Sequence, residues 1–384
     1  MRAKVDKGSG LYMTAQEVAE ALGVSVSTVY VYVSRKLLRS EKLPGSRTAR
    51  YFRSDVTRLQ QRSTSARFSA DTLAPQPQIV TADDSHLYYR GKEVRELSEH
   101  STLEDVACLL WQVPQAFDGE NYGMSVQTAA VAKVLPELTA TEKALVLFPL
   151  MEREDRRALD LSRLGAAATG ANVMRWFASW VAGRTHPSNR AIHEVVTANC
   201  PDGACFSDFV RRLLVMTADH PLDPTVYAVR AAANTGISPY RAAMSGLIAS
   251  AGRRLSFARQ AQTLRFIDDI LNATDPEDVI VQRMRDGDTL PGFSAIDDAP
   301  DFRAEALLDQ LRAGYLSDPD TAKFLHATAV VAELDRRSPT ISLIHLFTGT
   351  RLSLGTQRGM LVRLSRMAGW IAHSSEQYLN TEAR

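Results

Sequence analysis

Lys42, Arg47, Arg50 and Arg53 fall within one short stretch near the N-terminus. A row of cations so closely spaced suits the neutralisation of phosphates, and Arg47 or Arg50 is placed to enter a minor groove. Just upstream, Ser27, Thr28, Tyr30, Val31, Ser34 and Arg35 combine hydroxyls, an aromatic ring and a cation at helical spacing. They are candidates for the groove-facing side of a helix that touches base edges. The charge distribution agrees. Residues 1–67 carry 13 Lys/Arg against 5 Asp/Glu, a net of +8, and the remainder carries 32 against 39, a net of −7. A basic head on an acidic body points to a polyanionic partner. The alternative is a head that balances an acidic face of a partner subunit.

Other reactive residue types are thinly spread. Cys108, Cys200 and Cys205 have no metal-ligand spacing and predict neither a zinc site nor a disulfide framework, so a reduced cytoplasm fits and no metal is expected. Asp297-Asp298 is a possible cation pair, or else a solvated loop, because no further carboxylates converge in sequence. His186 and His193 are isolated.

The elements that would position the basic residues are legible. Thr14-Ala-Gln-Glu17 is a capping box opening a helix with Val18, Ala21 and Leu22 on one face. Gly23 ends it. Ser25 caps a second helix running to about Arg35, with Val29, Tyr32 and Val33 available for packing. Pro44-Gly45 is a turn whose flanks predict a β-wing, and Ser54-Asp55 opens a third helix. This pattern resembles the winged helices of the MerR and excisionase families over residues 11–62, with reuse as a packing or subunit-contact module as the alternative. Ser63 to Gln78 reads as a linker.

Beyond it the chain is predicted to be mostly helical, with periodic segments at Leu97–Trp111, Ala129–Leu135, Arg157–Ala182, Phe206–Ala218, Thr225–Thr235 and Arg358–Tyr378. No apolar run is long enough to span a membrane, and Met1–Gly10 lacks the apolar core of a secretory signal.

Several segments of the body resemble the citrate synthase family, particularly its shorter bacterial forms. Leu87-Tyr-Tyr-Arg-Gly-Lys-Glu-Val-Arg-Glu-Leu97 is similar to its "L-x-Y-R-G-Y-x-I-x-E-L" signature, and Ser101–Trp111 continues it. Asp219-His220 stands where the family has "D-H-E-L-N-A-S-T-F". Leu290-Pro-Gly-Phe293 and Phe302-Arg303-Ala304 frame its "P-G-F-G-H…D-P-R-A" loop, and Arg366-Met-Ala-Gly-Trp-Ile-Ala-His373 matches "R-T-A-G-W-x-A-H". The implied fold class is all-α, with large and small helical domains preceded by a small winged helix-turn-helix. The expected boundaries are 1–62 for the head, 63–78 for the linker, 79–251 with 346–384 for the large domain, and 252–345 for the small domain. The family's site lies in the cleft between the two domains of a dimer.

The resemblance also implies a chemistry. The family condenses an acyl-CoA with a 2-oxo acid such as oxaloacetate. A carboxylate removes a thioester methyl proton while one imidazole stabilises the enolate oxygen and another polarises the ketone. At the matching positions this chain has Ala249, Ala295 and Ser342. Alanine has no hydrogen-bonding side chain, and an unactivated serine cannot replace a carboxylate base. His345, three residues on, is a substitute base if turned inward, and a structural histidine otherwise. Arg253-Arg254 and Arg259 suit CoA phosphates or an exposed helical face. The substrate-binding positions His220 and Arg366 remain, while the family's Asn becomes Asp223 and its C-terminal "R-P-R" is absent. The expectation is a catalytically silent homologue that acts as a DNA-binding or metabolite-sensing regulator, without cofactor but with a CoA thioester as a possible ligand. It would be a homodimer, or a heterodimer with a complete citrate synthase homologue. The alternative is a non-catalytic or regulatory subunit of a hetero-oligomeric citrate or 2-methylcitrate synthase.

Overall fold

The computed structural model of the chain describes residues 12–42, 49–53, 55–56, 59, 79–83, 86–135, 137–200, 203–221, 223–252, 258–294 and 300–382. The expected linker lies outside these residues, as do Arg47, the Pro44-Gly45 turn, Arg253-Arg254, Ala295 and Asp297-Asp298.

The chain opens with β1 (Tyr12–Met13), α1 (Ala15–Leu22), α2 (Val26–Ser34), β2 (Ser40–Lys42) and β3 (Ala49–Phe52), followed by β4 (Val80–Ala82), β5 (Leu87–Tyr89) and β6 (Lys92–Glu93). The helices α3 (Val94–His100), α4 (Leu103–Trp111), α5 (Val126–Lys133), α6 (Ala140–Glu154), α7 (Arg163–Val181), α8 (Ile192–Thr197) and α9 (Gly203–Met216) come next. The last are α10 (Pro224–Ala233), α11 (Pro239–Ser250), α12 (Ala258–Asn272), α13 (Pro276–Asp286), α14 (Phe302–Gly314), α15 (Pro319–Asp335), α16 (Ile341–Arg351) and α17 (Met360–Glu382). The all-α expectation for the body holds.

Local signals set most helix starts. Thr14, Thr102 and Thr139 form capping boxes with Glu17, Asp105 and Glu142. Four helices begin on a capping Asp or Ser followed by proline: Asp223-Pro224, Ser238-Pro239, Asp275-Pro276 and Asp318-Pro319. Proline loses nothing there, because the first amide of a helix has no partner within it. The same signals explain two differences from expectation. The single helix expected over Leu97–Trp111 is broken at Ser101 because Thr102 caps a new one. The segment expected from Arg157 starts as a 3-10 turn, Arg156–Leu159, and becomes α-helical only after the Ser162 cap.

Contacts divide the chain into two compact units. One comprises residues 1–73, 265–299 and 317–339, and the other 74–264, 300–316 and 340–384. Residues 258–264, 300–316 and 340–345, placed with the small domain by the expected boundaries, fall in the larger unit.

In the first unit the head closes on Val18, Ala19, Val29, Leu38, Tyr51 and Val56. Gly23, at φ 64°, makes the left-handed exit from α1. Strands β2 and β3 form the wing, with Glu41 opposite Arg50, and β1 pairs on the far side of β3. Asp55, Val56 and Leu59 are helical, and the rest of the expected third helix lies outside the described residues. Arg39 then ties the head to α15. Its guanidinium bonds Asp55 and reaches Asp335 Oδ1 at 3.0 Å, and it lies 4.1 Å over the Phe52 ring. Asp335 also accepts from Arg337.

In the larger unit α7 is buried on nearly every side, as a helix at the centre of a bundle must be. Small residues permit the close approaches. A side chain at Gly246 on α11 would collide with the Trp370 ring on α17, and one at Gly170 would meet Ile371 and Trp111 at 3.1 and 3.2 Å. The β5–β6 hairpin is a structural feature that helical periodicity did not signal. Arg90 and Gly91 turn it with positive φ at both positions, which suits a two-residue hairpin turn. The signature Tyr89-Arg90-Gly91 therefore has a structural role. Tyr89 Oη is 3.2 Å from the Asp219 amide, and Arg90 bonds the Leu110 carbonyl and Glu376.

Candidate anion-binding site

A cavity of about 310 Å³ opens within the larger unit. Helix α17 supplies Val362, Arg363, Arg366 and Trp370 from one face, at spacings of a helical stripe. Three helix N-termini converge on it: Asp223, Pro224 and Thr225 from α10, Arg303 from α14, and Ser342 from α16. His220, Ser250 at the end of α11, and Gln260 complete the wall. Helix N-termini and guanidinium groups both favour anions, so the cavity suits a negatively charged ligand.

The charges are arranged in pairs with one exception. Arg303 is held by its own helix cap, with Nε and Nη2 on Asp301 at 2.9 and 2.7 Å. Arg366 Nε lies 3.3 Å from Asp223, and its Nη1 is 4.0 Å from Asp219. Asp219, fully buried, takes Nε2 of His373 at 2.8 Å. Arg303 Nη1 and Arg366 Nη1 are buried yet have no hydrogen-bond partner among the described residues. Arg363 is also buried, but its contacts are neutral: Nε to Ser250 Oγ at 3.1 Å, and Nη1 to the Gly359 carbonyl at 3.4 Å. Burial pushes its pKa down, and among the described residues no carboxylate pairs with it. A buried cation without a counter-charge carries a desolvation cost of several kcal/mol.

His220 is held neutral at physiological pH. Burial first, then the Arg303 and Arg366 charges, lower its pKa to about 4. It can therefore offer a neutral imidazole to a ligand but not a charge.

The cavity brings together His220, Arg366 and Ser342, which are distant in sequence. Ser342 is exposed at the start of α16. Ala249 is half-buried on the last turn of α11, next to Ser250, which does line the wall. Ala295 lies outside the described residues. His345 does not face the cavity: it is 1% exposed, with Nε2 bonded to Thr217 Oγ1 at 2.9 Å, so it is a core histidine. Sequence reasoning passed over Arg303 and Arg363. Arg303 stood inside the "D-P-R-A" frame as Asp301-Phe302-Arg303 and could have been carried over. Arg363 had only its three-residue spacing from Arg366.

In the head, Ser27, Tyr30 and Arg35 are exposed on α2 or just past it, while Thr28 is half-buried with its hydroxyl 2.9 Å from the capping Ser25. Tyr30 and Val31 are among the exposed large apolar side chains. Lys42 and Arg50 sit on the wing strands, Arg50 exposed. Arg53 is half-buried, with its aliphatic stem against Gly287 at the end of α13. Among the described residues there is no cluster that could hold a metal ion, and no helix is long and apolar enough to cross a membrane.

A helical body enclosing an arginine-lined cavity, preceded by a two-helix head with a β-wing, defines a two-part protein. Residues 70–384 match the protein-family model for citrate synthase, C-terminal domain, and residues 12–64 match that for a helix-turn-helix domain. The chain belongs to the citrate synthase family and carries an N-terminal helix-turn-helix domain. Its fold is similar to that of citrate synthase from Thermotoga maritima MSB8, at 17% identity over 80% of this chain and 90% of that one, with a TM-score of 0.61. The Thermoplasma acidophilum citrate synthase, solved as a ternary complex with carboxymethyl coenzyme A and oxaloacetate, gives 17% identity, 80% and 90% coverage and a TM-score of 0.62. The Pyrobaculum aerophilum citrate synthase gives 16%, 81% and 88%, and 0.63. No curated protein sequence matches the chain.

Proposed function

We propose that this protein is a catalytically silent citrate synthase homologue that binds DNA through its head and a small anionic metabolite through its cavity. The observation that carries the reading is Ser342. It lines the cavity at the sequence position where the family has its carboxylate base. Asp223 is the one carboxylate among the described lining residues, and it is committed to capping α10 and to Arg366. Ala249 can stabilise no enolate with its side chain. Losing a single acid-base group costs roughly 10²–10⁴ in rate, and three such losses leave binding without condensation. The family's retained anion contacts, His220 and Arg366, support a binding role.

The head supports the other half of the reading. Exposed Ser27 and Tyr30 sit on the second helix of the helix-turn-helix, where base edges are read, Arg35 caps its C-terminal end, and Arg50 on the wing suits a phosphate. Purified full-length protein should release no thiol from acetyl-CoA and oxaloacetate above the uncatalysed rate, and should retard genomic DNA fragments in a salt-dependent way. Turnover by the purified chain alone would refute the catalytic reading. Retardation that ignores salt, or none at all, would refute the regulatory one.

A second reading has one observation in its favour. Leu159 and Leu164, on either side of the start of α7, are 83% and 71% exposed, as expected of side chains awaiting a partner. The chain would then be a non-catalytic subunit paired with a second copy or with a complete synthase homologue. Light scattering of the purified chain and recovery of condensing activity with a co-purified homologue separate these assemblies.

A further inference from the structure

The balance of charge in the cavity identifies which cation is available to a ligand. Arg303 is neutralised by Asp301, bound through two oxygens. Arg366 is met by Asp223 on one side and lies within 4.0 Å of Asp219 on the other. Arg363, one turn before Arg366 on α17, is 6% exposed, lines the cavity and is bonded only to neutral groups among the described residues. Ser250, which it bonds, is uncharged, and Gln260 and Ser342 are uncharged polar residues lining the same cavity. With Nε on Ser250 and Nη1 on the Gly359 carbonyl and Met360 Sδ, the guanidinium leaves Nη2 without a hydrogen bond among the described residues, as a charged donor for an incoming carboxylate.

We propose that Arg363 is the anchor of an oxyanion subsite, with Ser250, Gln260 and Ser342 as its polar surround, and that the ligand is a small organic acid whose free carboxylate is held there. The inference rests on the reading of the cavity as an anion site and adds the residue that decides which anion enters. It also accounts for a buried cation that meets no acid among the described residues: the carboxylate of a bound ligand supplies the counter-charge. Arg363 is a specificity-determining residue here rather than part of the fold's support, and the two roles have opposite signatures. A supporting residue loses stability when removed. A cation buried for a ligand gains ligand-free stability when replaced by an apolar side chain of similar length, and loses the ligand response.

The test is thermal unfolding of the full-length protein with malate, citrate and inorganic phosphate as separate probes. Malate or citrate should raise the Tm of the wild-type chain, and phosphate at equal concentration should raise it less. Arg363→Met should have an equal or higher Tm without ligand and should lose the rise, with binding weakened at least tenfold by titration calorimetry. Arg363→Lys, which keeps the charge but not the fork, should bind with intermediate affinity, and it serves as the test if Arg363→Met does not fold. An undiminished malate or citrate response in both variants would overturn the Arg363 assignment while leaving the anion site standing. A response to phosphate alone would overturn the organic-acid class. A wild-type chain that responds to none of the three would overturn this inference and the ligand half of the proposed function together.

Discussion

Two histidines show how burial decides what a residue can do. His220 and His345 are held neutral by desolvation, reinforced by the Arg303 and Arg366 charges, with pKa values lowered to about 4 and about 3. Both take up a proton more readily in the unfolded chain, near the ordinary histidine value of about 6.5. Between that value and the folded-state values the unfolded state binds more protons, so stability rises with pH there. The contribution is complete above about pH 6.5 and is lost progressively as the solution is acidified towards the lowered values. His345 is the better probe because it touches no candidate ligand position. His345→Gln, which preserves a hydrogen-bonding side chain towards Thr217, should reduce the difference between urea midpoints measured at pH 5 and pH 8. An unchanged difference would show that His345 is not the titrating group.

Among the elements, the junction between the head and α15 is the one built from charge. Arg39, Asp55, Asp335 and Arg337 form a chain in which both carboxylates are 1% exposed, so neither could be buried without its cation. The carboxylate of Asp335 serves two guanidinium groups. Asp335→Ala leaves both without their shared counter-charge and should cost about 3–5 kcal/mol, the usual effect of removing one partner from a buried ion pair. Denaturant unfolding of the full chain measures it, and a change below about 1 kcal/mol would mean the network is open to solvent. Replacing Arg39, Asp55, Asp335 and Arg337 by apolar residues together should cost less than Asp335→Ala alone, because none of the four charges is then left without its partner.

On the scale of the whole molecule, the near-neutral total of +1 hides a basic head and an acidic body. Such a distribution favours one approach to a polyanion, head first, and repels the body from it. DNA affinity should therefore fall steeply with salt. Arg50→Ala should weaken binding similarly across sequences and reduce the salt slope by about one, as expected for loss of one phosphate contact. Tyr30→Ala should instead relax sequence preference with little change in slope. Equal effects of the two variants on slope and preference would contradict the separate roles given to wing and helix.

What this sequence determined by itself is whatever depends on neighbours three or four residues apart. The capping boxes, the Asp-Pro helix starts, Gly23 and the two helices of the head are of this kind, since a cap satisfies amides of its own first turn. The ordered family motifs carried the fold and His220 and Arg366, and they located Ala249 and Ser342. They did not reveal how the cavity is charged. In sequence Asp223 is only a departure from the family's Asn, but in the fold it is the partner of Arg366, 143 positions along the chain by their numbers. Arg363 looked like any cation on a long amphipathic helix, and Arg39 like one more basic residue of the head. Tertiary packing alone decided that the first is buried with no acid beside it among the described residues and that the second is joined to Asp335, 296 residues away. The physical reason is that burial and charge pairing depend on distance in space, which helical periodicity constrains only within its own element.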